Sequence, residues 1–364
     1  MPRFDSPPLF CGLLDRHRGG EFRLAPDQLR ESRQYYLPDT GVLVTEMRCP
    51  TGLVEVTDAF TVRFGTDLTE GTPAARGELL RYVRVLQGHA SLRISILPHG
   101  GADIDRHRGG LRLCRSSPDL ELHLLANVPL DGLRTTVQVE AGEDLWLLLR
   151  WQPPNRRLHH VQPRRLLDET AAAWRRWSAG ISYDGPQAQL VRRSALTLKL
   201  LDHVENGAIV AAATSSLPES LGGSRNWDYR YTWVRDAAYS VFALRRIGLT
   251  AEADGFLGWV LDAIEDRGRP RVLYDLDGRV PPPERVDDGL AGYRGSAPVR
   301  WGNAAAEQVQ HDVYGEILDC AFQWAARGGL VDDLLWARLV ALTETAGAVW
   351  KEPDQGIWEV RSSG

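Results

Sequence analysis

Apolar residues recur at every second position through the first part of the chain. In LELHLL (120–125), Leu120, Leu122 and Leu124 alternate with Glu121 and His123; in SLRISI (91–96), Leu92, Ile94 and Ile96 alternate with Arg93 and Ser95. LVEVT (53–57) and TTVQVE (135–140) keep the same rhythm. A period of two gathers the apolar side chains on one face of an extended strand, so each run predicts a half-buried strand of an antiparallel sheet. Gly, Asp and Pro separate the runs at hairpin spacing. DRHRGG stands at 15–20 and again at 105–110, but the flanks differ, which makes it a recurring turn and not a repeated unit. These runs predict a β-sandwich of many strands.

After PPN (153–155) the rhythm becomes helical. RRLLDETAAAWRRWSAG (164–180) reads as a helix stopped by Gly180. Pro186 then opens QAQLVRRSALTLKLLDHV, where Leu190, Ser194, Leu198 and Leu201 share a face and Val191 and Ala195 lie beside them. Further helices are predicted at 236–247, 251–266, about 304–327 and 330–350. The loops between them are long, 267–302 above all, and loops of that length in a compact helical domain usually carry function. The expected organisation is a sandwich domain at 1–160, a linker helix at 161–185 and a helical domain at 186–364.

Composition narrows the function classes. The 364 residues are 43% hydrophobic and 25% charged with a net charge of −5, ordinary for a globular protein and without the basic excess that nucleic acid or an anionic membrane would call for. No apolar run is long enough to predict a membrane-spanning helix. MPRFDSPPLFCGLLDRHRGG lacks the basic lead and small-residue cleavage site of a signal peptide. Cys11, Cys49, Cys114 and Cys320 are far apart and form no CxxC, so free thiols and a cytoplasmic location are expected. His159 and His160 are adjacent and the other histidines scattered, so the spacing predicts no metal site.

Four stretches of the helical part are dense in aromatic and charged groups: 216–236, 292–303, 307–316 and 354–361. In SLGGSRNWDYRYTWVRDA (220–237), Gly222 and Gly223 mark a turn before aromatic and charged residues alternate. Arg235 beside Asp236 joins a planar donor fork to a carboxylate acceptor, a pair able to grip neighbouring hydroxyls, while Trp and Tyr supply stacking faces. Ligands with apolar ring faces and many hydroxyls are sugars. For any one residue, a salt-bridged helix start or a core aromatic is an equally good reading; the four clusters together favour a sugar site.

Three of these segments carry a family resemblance. AAATSSLPESLGGSRNWDYRYTWVRDAAYSVFALRRIG, GYRGSAPVRWGNAAAEQVQHDVYGEILD and GIWEVR resemble the successive signature segments of glycoside hydrolase family 15, the glucoamylases, glucodextranases and related trehalases. PRFDSPPLFCGLLD and YLPDTGVLVTEM resemble the start of that family's β-domain. The resemblance implies a β-supersandwich followed by an (α/α)6 barrel with the sugar site at one barrel end. It implies that Arg235 and Asp236 bind hydroxyls of the terminal glucose, that Tyr229, Trp233, Trp301 and Trp358 belong to the substrate site, and that Glu359 is the general acid. Gln310 and Asp312 fall in a matching segment without individual roles, and Asn226, Trp227 and Asp228 are expected to support their loop. Ile357, Trp358 and Val360 flank Glu359, an apolar setting of the kind that keeps a carboxyl protonated.

The family's second catalytic Glu, the general base, has no counterpart here, and about six helical stretches stand against the twelve of a full barrel. The expectation is therefore the first half of an (α/α)6 barrel in an incomplete, inactive chain, with exposed apolar helix faces that favour self-association or a complementing C-terminal half. The expected activity of the complete enzyme is inverting, exo-acting α-glucosidase, with trehalose favoured over malto-oligosaccharides. A disaccharide phosphorylase resembling family 65 and a non-catalytic sugar-binding fragment are the alternatives. Some trehalases of the family depend on phosphate and magnesium, but no residue here assigns either, and no cofactor or metal ligand is assigned.

Overall fold

A computed structural model describes residues 3–107, 109–116, 119–151, 161–265 and 269–360. His159 and His160 lie outside the described residues. The chain forms two compact units, Met1–Leu68 with Ala74–Ala179, and Thr69–Pro73 with Gly180–Gly364.

The first unit is built from antiparallel sheet: β1 (Glu21–Pro26), β2 (Glu31–Tyr36), β3 (Leu43–Cys49), β4 (Gly52–Val62), β5 (Ala75–Leu97), β6 (Asp103–His107), β7 (Gly110–Ser116), β8 (Asp119–Ala126), β9 (Arg134–Glu140) and β10 (Asp144–Arg150). The period-two runs fall inside β4, β5, β8 and β9, as their alternation predicts. The strand order is β2-β3-β4-β5-β10-β8-β7-β6, with β1 and β9 also paired to β5. The 23-residue β5 can serve so many partners because it divides its length. Its first part pairs with β4 and β10, and its part from His89 onward with β1 and β9. Gly88 marks the changeover at φ +66, a backbone state that costs glycine little, and a Cβ there would run into the Thr51 carbonyl.

Side chains from both parts of β5 meet in one core. Val83, Leu92, Leu111, Leu113, Leu122, Leu124, Leu147 and Leu149 are completely buried in it. Helix α1 (Pro163–Ser178) belongs to the same unit. Its Leu166 packs with Leu80, Leu125 and Leu148, its Ala171 packs with Val42 and Ala59, and Thr170 Oγ1 accepts the Val62 N–H at 3.3 Å.

The second unit is helical, with short ribbons between its helices. In chain order it contains α2 (Ala188–Leu201), β11 (Asp202–His203), β12 (Ala208–Ile209), β13 (Ser215–Pro218), β14 (Asn226–Asp228), β15 (Thr232–Trp233), α3 (Val234–Arg246), α4 (Ala251–Glu265), β16 (Leu273–Tyr274), β17 (Arg285–Asp287), β18 (Val299–Trp301), α5 (Asp312–Ala325) and α6 (Asp333–Val349). The helix expected over 304–327 is two pieces, a 3-10 turn at Ala304–Glu307 and then α5. The residues between them are extended because their backbone bonds elsewhere: Val309 O accepts from the Gln355 N–H and Val309 N–H donates to Gln355 Oε1. On α2 the leucine stripe is not the buried face. The helix buries Ala195 and Leu196 beside it, while Leu190 stays 60% exposed.

Leu124 lies at the centre of the first unit's core, so Leu124→Ala should destabilise that unit by about 2–5 kcal/mol. Denaturant unfolding followed by circular dichroism checks this, and the midpoint should fall with little change in slope.

Candidate active site

The hairpin β13–β14 begins the site. Its turn is glycine-made as the sequence suggests, with Gly222 at φ +79 and the Gly223 N–H donating to the Ser220 carbonyl at 2.9 Å. Polar side chains then fasten the hairpin to residues 296–303. The Gly222 N–H donates to Ser296 Oγ at 2.9 Å, and the buried Asn226 Nδ2 donates to the Ser296 and Pro298 carbonyls at 3.0 and 3.2 Å. Asp228, fully buried, accepts from Arg230 Nε and Nη2 at 2.9 and 2.8 Å and from the Gly302 N–H at 3.0 Å. Ser215 and Ser216 donate to the Arg300 carbonyl at 2.7 and 2.8 Å. A buried charge survives only when paired and hydrogen-bonded, and Asp228 meets that condition by joining the two stretches.

Helix α3 starts at Val234 and so carries Arg235 and Asp236 in its first turn, where unpaired backbone N–H groups favour a carboxylate. The loop before residue 360 reaches them because it is zipped to the segment preceding α5. The Gln355 N–H donates to the Val309 carbonyl at 3.0 Å and the His311 N–H to Asp354 Oδ2 at 2.8 Å. Glu359 ends this loop at φ +52, an uncommon conformation for a residue with a side chain. Its Oε1 accepts from Trp233 Nε1 at 2.8 Å and from Arg235 Nη2 at 3.3 Å. The same Arg235 nitrogen lies 3.3 Å from Asp236 Oδ2.

One guanidinium thus serves two carboxylates. Burial works against the charge of Arg235, but Asp236 and Glu359 outweigh it and its pKa is raised. The Asp236 carboxyl is also raised: burial is the largest cause, Arg235 opposes it, and Glu359 adds like-charge repulsion. The side chain as a whole is 38% exposed, but its Oδ2 is shut off from solvent, so the buried oxygen sets the direction. Tyr229 is raised by burial and by the nearby Glu359, Glu219 and Asp236 carboxylates. Glu316 is raised by burial and then by Asp312 and Asp319. Both carboxylate oxygens of Asp312, the first residue of α5, are buried without a hydrogen-bond partner among the described residues.

These groups border a cavity of about 640 Å³ lined by Glu219, Arg225, Trp227, Tyr229, Arg235, Ile357, Trp358, Glu359 and Val360. Of the residues expected from sequence, Tyr229, Arg235, Trp358 and Glu359 therefore share one wall system. Trp233 lies behind it, 1% exposed, with its ring 5.3 Å from that of Tyr229. Asp236 sits beside Arg235. Trp301 is elsewhere: it is buried, donates Nε1 to Asp287 Oδ2 at 2.8 Å and lies under the Arg230 guanidinium. The apolar setting expected around Glu359 is not formed by its flanks. Ile357, Trp358 and Val360 line the open cavity and are about half exposed or more, and the groups that hold the Glu359 carboxyl are Arg235 and Trp233. Glu219, Arg225 and Trp227 were not singled out as binding residues, although all three lie in the stretch whose aromatic and charged alternation marked the site. Among the described residues no group of His, Cys, Asp and Glu could hold a metal ion, and no helix is long and apolar enough to cross a membrane.

Residues 185–364 match the model of glycosyl hydrolases family 15. A trehalase of Thermoplasma volcanium is 34% identical over 380 residues, covering 100% of this chain and 59% of its own. Trehalases of Mycolicibacterium smegmatis and Mycobacterium tuberculosis are each 34% identical, over 99% of this chain and 58% and 57% of theirs. The chain belongs to glycosyl hydrolase family 15 and spans less than two thirds of the length of these curated relatives.

The raised Asp236 carboxyl makes a signed prediction. A folded-state pKa above the unfolded value means the folded protein binds more protons in that window, so stability falls as pH rises from about 4 towards the folded value. Asp236→Asn removes that ionisation, so the second unit should gain stability at pH 7 relative to pH 4 when compared with the parent chain. Thermal unfolding at the two pH values checks this.

Proposed function

We propose that this chain is the catalytic-site-bearing portion of an inverting, exo-acting α-glucosidase that hydrolyses trehalose in the cytoplasm. In this reading residues 1–160 form the β-supersandwich, 161–185 a linking helix and 186–364 the first half of an (α/α)6 barrel. The observation that carries the reading is the convergence of Trp233 and Arg235 on Glu359 beside a sugar-sized cavity. The names of the relatives favour trehalose among α-glucosides.

Arg235 and Asp236 grip hydroxyls of the terminal glucose, and Tyr229 and Trp358 offer ring faces for stacking. Trp233 orients Glu359. Glu359 gives its proton to the glycosidic oxygen as the C1–O bond breaks. A water attacks C1 from the opposite face and loses its proton to a general base roughly 6.5–9.5 Å from the acid. One glucose leaves with its anomeric configuration inverted and the other as the leaving group. A general acid needs surroundings that keep its proton, and the exposed flanks of Glu359 do not supply them by themselves. The base is supplied from outside residues 1–364, by a complementing part of the enzyme, and the chain by itself turns nothing over. No residue of this chain assigns a role to phosphate or magnesium, which some trehalases of the family use.

Glucose release from trehalose, with and without added phosphate, tests the reading. The natural enzyme should release glucose in both conditions, whereas residues 1–364 alone should release none; release by the latter would put the base within this chain, with Asp312 the first residue to replace. Sugar phosphate formed only with phosphate present would favour phosphorolysis. In the natural enzyme Glu359→Gln should lower kcat by about 10²–10⁴ with KM little changed. A substrate with a good leaving group, such as glucosyl fluoride, should be partly spared.

A further inference from the structure

The cavity holds a second set of sugar-gripping groups that the catalytic reading leaves unused. Arg225 Nε lies 2.9 Å from Glu219 Oε2, and both side chains line the same cavity as Arg235 and Glu359. Trp227 lines it beside them, and its ring is backed by the Arg300 guanidinium at 4.5 Å from the centroid. The wall thus carries the same three components twice: a guanidinium, a carboxylate and an aromatic ring. One set is Arg235 with the adjacent Asp236 and Tyr229; the other is Arg225, Glu219 and Trp227.

We propose that Arg225, Glu219 and Trp227 bind the second, leaving-group ring of the disaccharide and set the enzyme's preference for two-ring over one-ring α-glucosides. This deepens the trehalose reading and rests on it. An exposed ion pair on a surface contributes little to stability, and both side chains here are substantially exposed, 43% for Glu219 and 69% for Arg225. Their hydrogen-bonding capacity is therefore left for a ligand. Glu219 has a free lone-pair side, and Arg225 has donors beyond the one it uses on Glu219. The hairpin that carries them is held in place. The Glu219 N–H donates to the Arg225 carbonyl at 3.3 Å, the Gly222 N–H to Ser296 Oγ at 2.9 Å, and Asn226 between the strands is completely buried. Groups fixed in this way bind without first losing freedom of the backbone. Tyr229 joins the two sets: its hydroxyl is raised by Glu359 on one side and Glu219 on the other, after burial. The volume of about 640 Å³ is within the range of sites that enclose whole small ligands. A disaccharide of two like rings presents like hydroxyl patterns at both ends, and two like sets of groups match it.

The test is the ratio of two affinities, for trehalose and for methyl α-glucoside, measured by titration calorimetry on the natural enzyme carrying Glu359→Gln to slow turnover, and checked by quenching of tryptophan fluorescence. The parent chain should bind trehalose more tightly. Glu219→Gln and Arg225→Gln should each reduce that advantage about fivefold to tenfold, the loss expected of one charge-assisted hydrogen bond. Asp236→Asn should weaken both sugars and keep the ratio. Exposed positions tolerate such replacements, and unchanged circular dichroism confirms that each variant folds. An unchanged ratio in both hairpin variants, with sugar still bound, overturns this proposal and leaves the catalytic reading standing. Failure of the parent chain to bind either sugar overturns both.

Discussion

Glu359 Oε1 accepts from the indole of Trp233 and the guanidinium of Arg235, groups 126 and 124 residues away in the chain. The rest of the site depends on this meeting. It sets the position of α3's first turn against the loop before residue 360, and it explains why Glu359 is held at a positive φ that a side chain ordinarily avoids. The loop can take that conformation because Gln355, Asp354 and Glu352 are each bonded to the segment at 309–311. A carboxylate held by two donors has a fixed direction, and direction is what proton transfer to one particular oxygen requires.

Polar side chains, more than apolar ones, assemble the loops around this contact. Asp228 and the amide nitrogen of Asn226 are fully buried, yet each has partners on the neighbouring stretch, so they add specificity of geometry while the Asn226 amide oxygen stays buried without a hydrogen bond among the described residues. Two other carboxylates are treated differently. Asp236 keeps a buried oxygen with only an ion-pair neighbour, and Asp312 has none among the described residues. Carboxylates buried beside like charges and left short of partners destabilise the fold, and such strain is characteristic of groups placed for a ligand.

Much of this was legible in the sequence, and the failures have a common cause. Alternation placed strands at β4, β5, β8 and β9 because one face of each is buried, a local property. The turn at Gly222 and Gly223 was legible for the same reason. The break at 308–311 was not, because the backbone there is claimed by Gln355, 46 residues on. The surroundings of Glu359 were misjudged likewise: its flanks in sequence are apolar, but its neighbours in space are Arg235 and Trp233. The family resemblance put Trp301 in the substrate site, and only the folded chain shows its indole N–H committed to Asp287. Arg225 and Glu219 were within the quoted stretch, but nothing local distinguishes a cavity-lining ion pair from any other surface pair.

In the proposed function the corner made by Trp233, Arg235, Asp236 and Glu359 holds a terminal glucose with its glycosidic oxygen at the Glu359 carboxyl. A crystal structure of this chain with a sulfur-linked trehalose analogue, which keeps the shape of the disaccharide and resists hydrolysis, tests it most directly. One ring should lie against Tyr229 with hydroxyls on Arg235 and Asp236, and the bridging sulfur should lie beside Glu359. A sugar bound away from Glu359, or a Glu359 carboxyl still closed on Arg235 with the ring elsewhere, would contradict it.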